Sequence, residues 1–86
     1  MEINEGCAAT WKTFTVGDTI PEKAVVIGHD NYENDVYLAR FLYSNLYNYG
    51  NYPAGYEKGY FEYGGQCRSD NNMELLVILW ILTWFE

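Results

Sequence analysis

Short runs rich in aromatic and β-branched residues recur along this chain, each set off from the next by Gly, Asn, Asp or Pro. TWKTFTV (residues 10–16), AVVI (24–27), VYLARFLY (36–43), YFEY (60–63) and a long apolar block from Met73 onward follow one another roughly every ten to fifteen residues. That spacing is the pattern of an all-β sandwich or barrel. Such side chains suit a pleated, half-buried surface. Gly17-Asp18, HDNYEND (29–35) and Gly64-Gly65 supply turns. No run combines a start cap, a 3.6-residue period and a stop cap, so no helix is expected. Residues 44–59, full of Asn, Tyr and Gly with Pro53 inside, read as a loop, and so does CRSDNN (67–72).

Two segments carry more detail. In VYLARFLY, alternation puts Val36, Leu38, Arg40 and Leu42 on one face and Tyr37, Ala39, Phe41 and Tyr43 on the other. AVVI is short and β-branched, which suits a strand buried on both faces. Residues 75–85 (LLVILWILTWF) contain no charge. A membrane-spanning helix needs ~20 apolar residues, so this stretch reads as buried protein. It is either the central core strand or the contact for a second copy or a missing repeat, because both of its faces demand cover.

At 86 residues the chain has room for one domain. A domain so small buries only roughly 60% of its unfolded surface. A composition of 49% hydrophobic and 19% aromatic residues offsets this and excludes a disordered segment. The formal net charge of -7, with only five scattered basic residues, excludes a nucleic-acid binder and disfavours anionic membranes. The first residues show neither a basic n-region nor an apolar h-region. A cytoplasmic location is therefore expected, with non-classical release open, and Cys7 and Cys67 are expected as free thiols. Two cysteines make no zinc site, and no cofactor is expected.

Among polar side chains, Asp30 is the strongest candidate contact: a turn carboxylate either binds vicinal hydroxyls or caps its own turn. Arg40, a charge in an apolar strand, requires a partner, and Asp30 or Asp35 across the preceding turn are the nearest carboxylates in sequence. Tyr43, Tyr47, Tyr49, Tyr52, Tyr56, Tyr60 and Tyr63 offer material for a sugar-stacking platform or for ordinary packing. His29, the sole histidine, lacks the neighbours of a metal site or a catalytic triad, so no enzyme is expected.

Several short pieces occur in a telling order. They are Trp11, Ile20-Pro21-Glu22-Lys23-Ala24-Val25, Gly28-His29-Asp30, Val36-Tyr37-Leu38-Ala39-Arg40, Pro53-Ala54, Tyr63-Gly64-Gly65 and Glu74-Leu75-Leu76. Together they resemble one DM9 repeat, whose pattern runs Trp, Ile-Pro-x-x-Ala-Val, Gly-x-Asp, Tyr-Val-Gly-Arg, Pro-Gly/Ala-Lys, Tyr-Gly-Gly, Glu-Val-Leu. The resemblance covers about residues 11–78. It implies an antiparallel β fold, usually of two repeats, and non-catalytic recognition of mannose-type glycans in innate defence. It also implies a sugar site using the Asp of the third piece, here Asp30, and the Lys of the fifth. That lysine position falls on Gly55, and Lys58 stands three residues later.

The expected organisation is a loose lead-in (1–9), one DM9-like all-β module (10–78) and a C-terminal strand or the start of a second repeat (79–86). The expected ligand-binding residues are Asp30, Arg40 and Lys58. The alternative is a structural half-domain that forms a homodimer through its apolar C-terminal strand without binding sugar.

Overall fold

The computed structural model describes residues 8–78, which are strands joined by turns, bends and short irregular stretches, with no helix among them. Seven strands follow in order: β1 (Ala9–Thr15), β2 (Val26–His29), β3 (Asp35–Tyr43), β4 (Leu46–Pro53), β5 (Gly59–Tyr63), β6 (Gln66–Asp70) and β7 (Asn72–Ile78). They form one antiparallel sheet in the order β1-β7-β3-β4-β5-β6, with β2 paired to β3. The all-β class expected from the run spacing is the class observed.

Connectivity gives this sheet its shape. β6 and β7 are joined by Asn71 alone, so their facing ends lie within two Cα steps, at most about 7 Å. In the order of the sheet they are separated by β5, β4 and β3. Laid flat, four strand spacings amount to about 19 Å. The sheet must therefore curl toward a barrel-like form. The face it curls around is the core: Phe14, Ala39, Phe41, Tyr52, Phe61, Met73 and Leu75. The rings of Phe41 and Phe61 stack at 4.7 Å, Phe14 meets Tyr52 at 5.2 Å, and the buried Tyr52 hydroxyl donates to the Tyr56 carbonyl at 2.8 Å.

Three sequence expectations change. Residues 46–53, read as loop, form β4, which pairs with β3 along eight registered positions. The reason lies in Ser44-Asn45. Both have positive φ (54° and 61°), the backbone of a tight turn whose twist matches the strands it joins. Once that hairpin closes, β4 follows β3 residue by residue despite its Asn- and Gly-rich composition. Residues 66–70, mostly within a predicted loop, form β6 by the same logic, zipped to β5 from Tyr63↔Gln66 to Gly59↔Asp70. The AVVI run is not buried on both faces. Val25 donates to the Leu76 carbonyl and accepts from Leu38, bridging β7 and β3 where they diverge. Val26 and Ile27, at 43% and 53% exposure, lie in the outlying β2.

The apolar block behaves as a central strand as far as Ile78. β7 lies between β1 and β3, with Leu75 fully buried. Expectations for residues 1–7, including Cys7, and for 79–86 lie outside the described residues. Among the described residues, Cys67 is exposed and forms no disulfide.

β5 crosses β4 so closely at Gly50 that a Cβ there would collide with the Tyr60 carbonyl oxygen and lie 2.9 Å from the Phe61 Cα. Backbone cannot retreat without breaking the Gly50↔Phe61 ladder. Gly50→Ala should therefore cost more than about 3 kcal/mol, enough to unfold much of a small domain. Gly28→Ala, where an added methyl meets nothing within 4 Å, should stay within about 0.5 kcal/mol of the parent. Urea denaturation of the two variants compares them directly, and equal stabilities would refute the close crossing.

Candidate functional site

Arg40 lies on the sheet face turned away from the core, where alternation along β3 places it. Register sets it opposite Glu74 of β7 and Tyr49 of β4, with Thr13 of β1 opposite Glu74 in turn. Its Nε donates to Glu74 Oε1. The guanidinium carbon stands 3.9 Å from the ring centre of Tyr47 and 4.6 Å from that of Trp11, while Trp11 meets Tyr49 at 5.8 Å. Four strands thus contribute to one arrangement: a flat cation between two rings, held at its edge by a carboxylate. The rings shed water from the guanidinium, which opposes its charge, but the Glu74 hydrogen bond and charge outweigh this, and the Arg40 pKa is raised.

The expected partner of Arg40 is corrected. Asp35 precedes it by five residues on an extended strand, about 17 Å away along β3, and Asp30 lies in the turn beyond. Asp35 Oδ1 instead stands 3.2 Å from His29 Nε2. The signal for the true partner was present: Glu74 is a lone carboxylate in an apolar strand, as Arg40 is a lone cation in one. Two opposite charges, each costly without a partner, invite pairing across strands.

Beside this pair opens a cleft of about 220 Å³ lined by Thr13, Arg40, Tyr47, Asp70, Asn72 and Glu74, among others. Two of its polar groups are held by hydrogen bonds. Asp70 Oδ1 accepts from the Asn72 backbone at 2.9 Å, and Asn72 Oδ1 accepts from the Thr15 hydroxyl at 2.8 Å. Asp70 and Asn72 escaped sequence reasoning because they stand in a stretch read as loop. No group of three or more potential metal-ligating His, Cys, Asp or Glu occurs among the described residues.

Asp30 serves its own turn. Oδ1 accepts from the backbone N–H groups of Tyr32 (2.8 Å) and Asn34 (2.9 Å), and Oδ2 accepts from the Asn34 side chain (3.0 Å). The Asn34 side-chain bond is the main cause holding the Asp30 carboxyl below its ordinary pKa of 3.8. Tyr56 lies against it, its phenol pKa raised first by desolvation and then by the Asp30 charge. The loop after Pro53 therefore comes up to Asp30, and the Ala54 N–H donates to the Asp35 carbonyl at 2.8 Å. Gly55 has a φ of 87°, a backbone where a lysine would be strained. Lys58 is exposed and makes no ion pair among the described residues. Asp30 and the Lys58 loop are thus neighbours, and Arg40 belongs to a separate place on the sheet.

The tyrosines divide in the same way. Tyr52 is buried in the core, Tyr43 packs on Phe61 and Tyr63, and Tyr47 and Tyr49 stand on the Arg40 face. A single platform of all seven does not form. Set against protein-family models, curated proteins and solved structures, the chain matches none.

Two expected outcomes follow. Arg40→Lys keeps the charge but loses the flat face, and should lower stability by about 1 kcal/mol in urea denaturation; an unchanged midpoint would count against ring stacking. Asp30 has a folded pKa below 3.8, so its contribution is complete above that value and is lost as pH falls through the folded pKa. Asp30→Ala should be less stable than the parent at neutral pH, with the gap narrowing in acid. A gap that widens below pH 3.8 would contradict the turn-capping role.

Proposed function

We propose that the chain is a non-catalytic carbohydrate-binding module of the DM9 type, and that the cleft beside Arg40 receives a neutral, mannose-type sugar. One observation carries the reading. An aromatic ring, Tyr47, stands beside planar polar groups from Arg40, Asp70, Asn72 and Glu74 on a sheet whose geometry is fixed. A pyranose presents a C–H face that stacks on a ring, and vicinal hydroxyls that hydrogen-bond to planar side chains. Two carboxylates against one guanidinium, in a chain of formal charge -7, disfavour acidic sugars.

The resemblance supports the carbohydrate class. Its pieces fall at the end of β2 (Gly28-His29-Asp30), along β3 (Val36 to Arg40), at the end of β4 (Pro53-Ala54), at the β5–β6 turn (Tyr63-Gly64-Gly65) and within β7 (Glu74-Leu75-Leu76). In this reading Asp30 shapes the loop that also brings Tyr56 inward, with Lys58 at its rim, and Arg40 anchors the sugar site.

The alternative is a half-domain that homodimerises through its apolar C-terminal strand, and Leu42, Leu46 and Tyr49 on the β3–β4 hairpin, 60% exposed or more, add a further apolar surface. Such a surface favours self-association.

Calorimetric titration with mannose and other neutral monosaccharides should give weak, millimolar binding, about -4 kcal/mol. Tyr47→Ala and Asp70→Ala should each abolish it in variants that remain folded. Absence of saturable heat from every neutral sugar would remove the proposal. Binding lost in Asp30→Ala but kept in Tyr47→Ala would move the sugar to the loop. Sedimentation of a concentration-independent monomer would remove the alternative.

A further inference from the structure

The Arg40 cleft is not alone on its face. A second cleft, of about 330 Å³, opens over β4, β5 and β6, with Tyr49, Asn51, Tyr60 and Glu62 among its lining side chains. Register shows that it lies on the same side of the sheet. Arg40 is opposite Tyr49, Leu38 is opposite Asn51, and Asn51 is opposite Tyr60. Directly opposed residues share a face, so these side chains project outward with Arg40, away from Phe41 and Phe61.

Tyr49 stands between the two clefts. Its ring meets Trp11, which covers the Arg40 guanidinium, and Tyr49 also lines the second cleft. At 61% exposure most of this ring remains open to a ligand. The centres of the clefts are about two to three strand spacings apart, roughly 10–15 Å. One sugar ring cannot fill both, and a short linear chain can. The second cleft repeats the chemistry of the first: aromatic rings beside an amide and a carboxylate. Among its lining residues there is no cation, so neither an acidic glycan nor a nucleic-acid backbone finds a charge partner there.

Resting on the carbohydrate reading above, we infer that this face binds a linear neutral oligosaccharide across both clefts, with Tyr49 stacking the sugar unit between them. The second cleft then sets a preference for length.

The test is calorimetric titration of the full chain with mannose, α-linked mannobiose, mannotriose and mannopentaose, and with the matching β-linked glucose series. Affinity should rise at least about tenfold from mono- to trisaccharide in one series, the gain of roughly one well-stacked ring. Tyr49→Ala and Asn51→Ala should each shrink that ratio toward one. Asn51→Ala leaves the Trp11 contact intact and guards against a folding defect in Tyr49→Ala. Monosaccharide binding without any gain in length would overturn the extended site and leave the sugar reading standing. A gain that both folded variants retain would also overturn it. No heat from any saccharide would remove both.

Discussion

A single residue, Asn71, joins the last strand of the sheet order to its second, and much of the architecture answers to that short joint. Because β6 and β7 are neighbours in sequence but distant in the ladder, the sheet bends until its ends approach. Bending gathers four aromatic rings and three smaller apolar side chains into one enclosed face. The described sheet thus covers its own apolar face by curling. Val16 reinforces the joint by donating to the Asn71 carbonyl at 2.9 Å, tying β1 to the same point.

With one face committed to the core, the opposite face is free to carry chemistry. Arg40 is suited to this position in a way lysine is not. A planar guanidinium lies flat between Trp11 and Tyr47 while its edge still meets Glu74. The four side chains come from β1, β3, β4 and β7, so their spacing depends on the whole ladder and not on one loop. Groups placed on strands lose little freedom on meeting a ligand, which favours recognition by weak polar contacts.

Fold class was legible because it depends on local pattern. Alternation in VYLARFLY assigned each side chain of β3 to the face it occupies, whereas Pro53, read inside a loop, ends a strand. β4 and β6 were hidden because their composition of Asn, Tyr, Gly, Ser and Asp resembles a loop; pairing with an established neighbour overrode it. The candidate site was half legible. Arg40 announced itself as a charge among apolar residues, but its partner lies 34 positions away, and only the ladder brings Glu74 to it. A search restricted to nearby carboxylates could not find a contact set by topology.

The β1–β7 ladder pairs Ala9 with Ile78 and Thr15 with Asn72, joining the first strand to the seventh along its full length. Contacts so distant in sequence form late, since a long loop must close before they are gained. During synthesis, Trp11 and Phe14 emerge well before β7, the strand that pairs with theirs. Until β7 follows, β1 lacks its ladder partner and the nascent chain presents these rings to its surroundings.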